Sequence, residues 1–353
     1  MLEREGEAQR PKIDVVMPVL DAMRYLPTTL PAVLAACERY GPAGTVVADN
    51  GSKDGSLAFV KQLPSSNLRF LEVPGVAVGA VRNRAVAVCS GDLLVFLDAD
   101  CLVDEDYLVN IERVFASGRV DAAGCRYSLP SNPRWIEQAW DLLHLPVVEG
   151  VVRYVNSGNF AVRREIFGAT GGFDEILRSG EDAEFCARLY RDGWAVTQTT
   201  AIRAVHLGNP KSLPDFFRKQ LWHGQGALGT ARRHPVDRPL LMTLVHWLLL
   251  SCALLLALSR SVNPAAKWSL VATAPLLAPL ATVFYRIYCG GSARAAVPGI
   301  LLYFMYYSAR GMSLVQLSLL AFWRRVSQVV QDTLRRIAKT RNPSARGRID
   351  GQP

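Results

Sequence analysis

Residues 91–100 read GDLLVFLDAD. The five apolar residues from Leu93 to Leu97 are too few for a typical helix and are typical of a strand buried on both faces. The strand ends in two carboxylates, Asp98 and Asp100, at the spacing i, i+2. Ligands of open α/β sheets bind where the chain leaves the carboxyl ends of the strands, and Mg²⁺ typically takes one or two carboxylates there. The pair therefore predicts a cation and sugar-hydroxyl site, although Asp-x-Asp alone also fits a solvated acidic turn.

Strands and helices alternate around this stretch from residue 13 to about residue 124, which is the pattern of βαβ units and a mostly parallel sheet. Residues 125–160 are less regular, and their Trp135 and Trp140 fit an acceptor platform, a membrane-interface contact or ordinary packing equally well. The other predicted strands are 13–18, 45–48, 68–73, 195–198 and 201–205, with a turn and a strand over 156–164. The predicted helices are 27–41, 75–89 and 181–191, and residues 135–143 also have helical spacing.

Charge is distributed unevenly along the 353 residues. Residues 1–238 carry 27 Lys and Arg against 29 Asp and Glu, whereas residues 239–353 carry 13 against 2. A basic groove for nucleic acid is therefore not expected on the first part, and no nucleic-acid partner is predicted. Basic residues that flank apolar segments are typical of membrane topology signals and of contacts with anionic lipid head groups.

The C-terminal third, residues 239–323, predicts a membrane region. Residues 240–259 and 268–285 carry no formal charge, and their lengths of 20 and 18 residues suit membrane spans. Residues 295–323 are apolar except for Arg310 and fit either an interfacial helix or a short hairpin. Residues 324–353 fit a basic amphipathic helix and tail on the membrane surface, or a solvated basic tail. Residues 1–12 are predicted to be disordered and lack the apolar core of a signal peptide. A multi-pass membrane protein with its globular part in the cytoplasm follows as the expectation.

Six short motifs follow one another along the chain, each where a strand or helix begins or ends. They are VMP at 16–18, DNGSKDG at 49–55, RN at 82–83, DAD at 98–100, GGFDE at 171–175 and ED at 181–182. Together they resemble the family 2 glycosyltransferases of the GT-A fold over roughly residues 13–225. The resemblance implies an α/β, Rossmann-like nucleotide-sugar-binding domain over 13–238, followed by transmembrane helices.

The resemblance assigns a donor role to several of these residues. Asp49 is expected to accept a hydrogen bond from the base, usually uracil, and Arg82 to lie near the nucleotide. A divalent metal, Mg²⁺ or Mn²⁺, is expected on Asp100 and Asp98, with His206 either as a further metal or diphosphate contact or as a structural histidine. The expected nucleotide-sugar-binding residues are Pro18, Asp21, Asp49, Asn50, Gly51, Asp54, Arg82, Asp98, Ala99 and Gly172.

Asp182 is the expected general base of an inverting single displacement. Its position at a helix start favours the ionised carboxylate, and Glu181 is expected either to orient the site or to cap the helix. The acceptor is expected to be a lipid or a lipid-linked glycan, because the chain carries a membrane region.

Two departures from the family pattern affect the reading. Leu20 and Asp21 stand where an aromatic residue and Asn usually follow Pro18, so base stacking there is not assured. Residues 218–224 read RKQLWHG and lack the Gln-x-x-Arg-Trp motif of processive synthases, which favours transfer of one sugar over polymerisation. The alternatives are a polysaccharide synthase, a silent scaffold that binds sugar nucleotides, and a sugar nucleotidyltransferase, whose Gly-rich loop is missing after the first strand.

Overall fold

The computed structural model describes residues 10–226, 238–259 and 263–341. Most of the N-terminal segment predicted to be disordered lies outside the described residues. So do residues 227–237, at the end of the predicted catalytic domain, and the basic tail from residue 342 onward.

The first part of the described chain is an α/β domain. Its predicted strands and helices are found with small shifts of their ends. The exception is the predicted strand 201–205, of which only Val205 lies in a strand, the two-residue β10. The strands are β1 Ile13–Val19, β2 Ala43–Asp49, β3 Leu68–Glu72, β4 Leu93–Leu97, β5 Cys101–Leu102, β6 Ala122–Gly124, β7 Gly150–Val152, β8 Asn159–Arg163, β9 Val196–Gln198 and β10 Val205–His206. The helices are α1 Leu26–Tyr40, α2 Ser56–Gln62, α3 Val78–Val86, α4 Tyr107–Ala116, α5 Trp135–Leu142, α6 Arg164–Ala169, α7 Glu181–Arg191 and α8 Leu213–Gly224.

Eight of the described strands form one sheet in the order β3-β2-β1-β4-β8-β6-β9-β7. The strand β4 lies at its centre, parallel to β1 and antiparallel to β8, and all five of its residues are buried. Gly91 permits this arrangement, since a Cβ there would lie 2.8 Å from the backbone nitrogen of Asp14 on β1. The carboxyl ends of β1, β2 and β4 consequently meet at one edge, as the sequence predicts.

An aromatic cluster attaches the later part of the domain to this sheet. The rings of Phe96 on β4 and Phe173 lie 5.0 Å apart, and those of Phe173 and Phe185 lie 4.9 Å apart. Phe173 belongs to the 171–175 loop and Phe185 to α7, so burial of the two rings brings both segments against the central strand. The start of α7, with Glu181 and Asp182, is positioned by this packing.

Within the described residues, four further α-helices follow the α/β domain: α9 Arg238–Leu258, α10 Pro264–Thr273, α11 Leu277–Tyr288 and α12 Ala296–Arg341. Two stretches, Arg238–Leu258 and Pro264–Tyr288, are long and apolar enough to cross a membrane. A short 3₁₀ turn at Ala274–Leu276 interrupts the second stretch, where Pro275 lacks the N–H that a regular helix needs.

Residues 296–341 form one continuous helix, so the hairpin alternative for 295–323 is wrong. The first half of α12 packs on the α/β domain, where Leu302 joins a buried cluster with Ile136 of α5 and Phe216 of α8. The ring of Trp140 lies 5.0 Å from Phe216 and 5.2 Å from Tyr303. Trp140 is therefore a packing residue of this seam, whereas Trp135 is half-exposed.

Candidate functional site

The carboxylate of Asp49, at the end of β2, is buried and half satisfied. Its Oδ2 atom accepts hydrogen bonds from the backbone N–H groups of Gly51 and Ser52, at 2.9 and 3.0 Å. Its Oδ1 atom is buried and has no hydrogen-bond partner within the described residues. Because a buried acceptor without a partner is costly, this oxygen is suited to an N–H donor from a ligand. Gly51 makes the turn possible with φ of +89°.

Asp21 and Asp54 hold the loop after β2 against the loop after β1. Asp21 adopts φ of +49° and accepts a hydrogen bond from the backbone N–H of Lys53 at 2.7 Å. Asp54 accepts from the backbone N–H groups of Met23 and Ser56, at 2.8 and 3.0 Å. Both carboxylates therefore shape the walls of the site through the backbone.

Several other predicted binding residues also act on the backbone. The side chain of Asn50 bonds both to the carbonyl and to the N–H of Val76, at 2.9 and 3.2 Å. Pro18 lies in β1 opposite Ala48. Ala99 is buried between the two aspartates, and its carbonyl accepts a hydrogen bond from the Thr29 hydroxyl at 2.7 Å. These residues build the frame of the site.

Gly172, in the 171–175 loop, is placed by Asn83 of α3. The Asn83 amide bonds to the carbonyl and the N–H of Phe173, at 2.8 and 3.0 Å. A Cβ at Gly172 would lie 2.8 Å from the Asn83 Oδ1 atom, and the residue has φ of +68°. Glycine is therefore required for this loop to close on α3.

Asp98, Asp100 and His206 form a cluster that fits a divalent cation. One ligand atom from each lies within 4.8 Å of the others. The Nε2 atom of His206 lies 3.3 Å from Asp100 Oδ2, and its Nδ1 atom is buried without a hydrogen-bond partner in the part of the chain that the structure describes. Burial raises the pKa of Asp100, and burial lowers the pKa of His206, so the imidazole is neutral at pH 7. Two oxygen donors and a neutral imidazole suit Mn²⁺, and the carboxylates also suit Mg²⁺.

Gly158 and Gly208, which were not among the predicted site residues, leave space for the side chains of this cluster. A Cβ at Gly158 would lie 2.0 Å from Asp98 Oδ2, and one at Gly208 would lie 1.8 Å from Asp100 Oδ2. Tyr127, also missed, donates a hydrogen bond to Asp98 Oδ2 at 3.0 Å. The signal for Gly208 was its position two residues after His206, and Gly158 was recognised only as part of a turn.

Arg82 connects the cation cluster to the residues of α7. Its guanidinium is buried and forms ion pairs with Asp98 at 2.9 Å and with Glu181 at 2.6 Å. Such a fork holds two carboxylates at a fixed separation. Arg82 thereby holds the Glu181 carboxylate beside the cation cluster.

Asp182 is the second residue of α7 and directly follows Glu181. Its Oδ1 atom accepts from the N–H of Ala183 at 2.8 Å, and its Oδ2 atom accepts from the Tyr154 hydroxyl at 2.9 Å. Burial, and secondly the charge of Glu181, raise the pKa of Asp182 to about 6. A carboxylate with this pKa is ionised at pH 7 and remains basic enough to accept a proton.

A cavity of about 290 Å³ opens beside the cation cluster, between the loop after β1 and the start of α8. Gly208, whose backbone approaches Asp100, is part of its wall. Its lining includes one acid, Asp215, and four basic side chains: Arg24, Lys211, Arg218 and Lys219. A phosphate-bearing ligand suits a cavity of this charge.

The sheet order, the carboxylates at the edge of β4 and the acid at the start of α7 define a nucleotide-sugar transferase of the GT-A class. The sequence profile named "Glycosyl transferase family 2" matches residues 14–191, half of the chain. The chain therefore belongs to the family 2 glycosyltransferases, enzymes that act on nucleotide sugars.

Relatives support this assignment. Glycosyltransferase AglE of Haloferax volcanii is 24% identical over 246 residues, which are 68% of this chain and 80% of that protein. The pre-mycofactocin glycosyltransferase of Mycobacterium tuberculosis is 29% identical over 187 residues, 49% of this chain but 39% of that protein. The chain thus spans less than half of the second relative.

A solved structure shares the fold. It is the mannosyltransferase PcManGT from Pyrobaculum calidifontis, in complex with GDP-Man and Mn²⁺, with a TM-score of 0.56 and 16% identity. The similarity covers 88% of this chain and 87% of that one. The GT-A fold predicted from the sequence is thereby confirmed.

Proposed function

We propose that this protein is an inverting, metal-dependent glycosyltransferase that moves one sugar from a nucleotide-sugar to a hydroxyl group of a lipid or lipid-linked acceptor. The observation that carries the proposal is the Arg82 fork. It joins Asp98 of the cation cluster to Glu181, the neighbour of Asp182, in one site. A donor diphosphate at the cation cluster and an acceptor hydroxyl beside Asp182 would therefore lie at the two ends of one connected network.

The donor is a nucleotide-sugar with a base that carries an N–H group, and a UDP-sugar is the first choice. Asp49 supports this assignment because its Oδ1 atom is buried without a partner. A carboxylate facing the imide N–H of uracil forms a charge-assisted hydrogen bond, which is among the stronger kinds in proteins. The hydrogen bonds of Asp21 and Asp54, together with the turn at Gly51, hold the backbone of the two loops around this base.

The divalent cation, Mg²⁺ or Mn²⁺, is held by Asp98, Asp100 and His206. When bound, the cation neutralises the charge that develops on the departing nucleoside diphosphate. Gly158 and Gly208 leave room beside the carboxylates, and the cavity with Arg24 and Lys211 adds positive charge on the diphosphate side.

Asp182 accepts the proton of the acceptor hydroxyl while that oxygen attacks the anomeric carbon. The bond from this carbon to the diphosphate oxygen breaks in the same step, and the electron pair leaves with the nucleoside diphosphate. Attack from the opposite side inverts the anomeric configuration. General-base assistance of this kind contributes about 10²–10⁴ in rate.

Membrane attachment is the remaining part of the proposal. Catalytic residues 13–238 act at the cytoplasmic face, residues 239–323 form the membrane region with spans near 240–259 and 268–285, and basic residues from 324 onward contact anionic lipids. The two long apolar helices and the packing of α12 on α5 and α8 support this arrangement.

A panel of radiolabelled nucleotide sugars, incubated with membranes containing the protein and Mn²⁺, tests the proposal after lipid extraction. We expect label in the lipid or glycan fraction with at least one donor, and its loss with Asp182→Asn. Asp104→Asn, an exposed acid after β5, is the matched control. If no donor transfers label, or the Asp182 variant transfers as well as the wild type, a sugar-nucleotide-binding scaffold replaces the proposed enzyme.

A further inference from the structure

The seam between α8 and α12 contains polar groups that the transfer reaction described above does not use. One face of α8 is buried against α12, with Phe216, Gln220 and Gly224 at successive intervals of four residues. Phe216 packs with Leu302, whereas a Cβ at Gly224 would lie 3.0 Å from the Arg310 Cα atom. The two helices therefore run in contact from one end of α8 to the other.

Three polar side chains in this seam have atoms without hydrogen-bond partners in the described part of the chain. Gln220 and Ser313 are 5% and 1% exposed, and Gln220 Oε1, Ser313 Oγ and Arg310 Nε are all unpaired. Native proteins rarely leave buried polar atoms unsatisfied. Arg310 Nε–H and the Ser313 hydroxyl are donors, whereas Gln220 Oε1 only accepts, so two of these atoms point to a ligand with acceptor oxygens.

The charge of the seam indicates that the ligand is an anion. Arg310 lies over the ring of Tyr306 at 4.2 Å, and within the described residues neither Arg310 nor Lys219 forms an ion pair with an acid. Burial, followed by the charges of Arg310 and Lys219, lowers the pKa of His223 to about 3. Both cations therefore contribute to keeping this imidazole neutral.

The position of the seam connects it to the proposed active site. Lys219 also lines the cavity beside the cation cluster. At the other end, the hydroxyl of Ser179 donates to the carbonyl of His223 at 3.0 Å, and Ser179 lies three residues before Asp182. On its far side, α12 contacts the apolar helix α9, where Trp247 Nε1 donates to the carbonyl of Tyr307 at 3.1 Å. An anion in the seam would have the catalytic base on one side and apolar helices on the other.

We propose that Lys219 and Arg310, with Ser313, bind the phosphate or diphosphate group of a lipid that carries the acceptor. The inference rests on the proposed function, because it assigns the acceptor of that reaction to the class of phosphate-linked lipids. The phosphate lies against the two cations, the lipid chain follows the apolar helices α9 and α12, and the group attached to the phosphate reaches toward Asp182.

Binding of farnesyl phosphate to the full-length protein in detergent micelles, measured by calorimetry, tests this site. Farnesol serves as the probe with the same chain and no phosphate, and inorganic phosphate as the probe with no chain. We expect saturable binding of farnesyl phosphate only. Arg310→Gln and Lys219→Gln should each weaken it about tenfold or more, because each removes a charge-assisted contact.

Arg325→Gln is the matched control, since Arg325 lies exposed on the same helix, about four turns further along. Mn²⁺-dependent binding of UDP, measured on Arg310→Gln and Arg325→Gln, shows whether the donor site is intact. Equal binding of farnesol and farnesyl phosphate, equal affinity for inorganic phosphate, or equal effects of Arg310→Gln and Arg325→Gln would overturn the lipid-phosphate site. Absence of Mn²⁺-dependent UDP binding by the wild-type protein would instead refute the proposed function itself.

Discussion

Replacing Tyr154 with phenylalanine should move the acid limb of the pH–rate profile to higher pH. The Tyr154 hydroxyl donates a hydrogen bond to Asp182 Oδ2 at 2.9 Å and thereby stabilises the ionised carboxylate. Without this donor, the burial of Asp182 and the charge of Glu181 act with less opposition, and the pKa of Asp182 rises above its value of about 6. The sign follows from the role of Asp182, because a base that is protonated at higher pH loses activity at higher pH.

The size of the shift follows from the strength of the lost hydrogen bond. A hydrogen bond to a charged group contributes about 1.5–3 kcal/mol, and one pKa unit corresponds to about 1.4 kcal/mol. Tyr154 is 48% exposed, so water replaces part of the lost interaction and the lower end of this range applies. We expect a shift of about one unit, which lowers the rate roughly eightfold at about pH 5.5 and leaves it nearly unchanged at about pH 8.

Single-turnover transfer, measured from about pH 5 to about pH 9 with saturating donor, reports this limb directly. Tyr190→Phe is the matched control, because the Tyr190 ring is also exposed and packs under the Arg153 guanidinium. A limb that stays at the wild-type position in Tyr154→Phe, or that moves to lower pH, would refute the assignment of Asp182 as the base.

Three further substitutions probe other parts of the site. Asp49→Asn should weaken UDP binding about 10–100-fold by calorimetry, because a neutral amide replaces the buried carboxylate, whereas the same change at exposed Asp106 should leave it unaltered. Gly208→Ala should weaken Mn²⁺ binding at least tenfold by electron paramagnetic resonance, since its Cβ would lie 1.8 Å from Asp100 Oδ2; Gly168→Ala, with open space around it and no positive φ, is its control for metal affinity. Arg82→Met should lower the free energy of unfolding by about 3–5 kcal/mol in denaturant titrations, because it leaves Asp98 and Glu181 without their shared partner, and an unchanged midpoint would contradict the buried ion-pair network.

Local pattern was enough to predict much of the fold. The apolar run from Leu93 to Leu97 forms the central strand with the predicted bounds. Helix α1 ends at Tyr40, directly before Gly41 with φ of +102°, as a glycine after the last turn indicates. The carboxylates after β4 belong to the DAD motif, and His206 was expected from the family resemblance. The structure brings the three side chains within reach of one cation.

Contacts between distant segments were beyond sequence reasoning. Gly158 approaches Asp98 from 60 residues away, and Gly208 approaches Asp100 from 108 residues away. The pairing of Tyr154 with Asp182 depends on how the irregular segment before β8 meets α7. Neither periodicity nor composition encodes such approaches, because they arise from packing of whole elements against one another.

The C-terminal region shows the same limit from another side. Apolar composition predicted helices of membrane-spanning length, and two stretches satisfy that criterion. Composition could not show that residues 296–341 form a single helix or that Arg310 and Ser313 face α8. The contact with Gly224 decides this orientation, because only glycine permits so close an approach of the two backbones.

Anomalous scattering from Mn²⁺ in crystals grown with a nucleoside diphosphate sugar tests the central claim most directly. We expect one manganese ion bound by Asp100 and by Asp98 or His206. The diphosphate should contact this ion, and the anomeric carbon should face Asp182. A manganese ion bound elsewhere, or a sugar whose anomeric carbon faces away from Asp182, would contradict it.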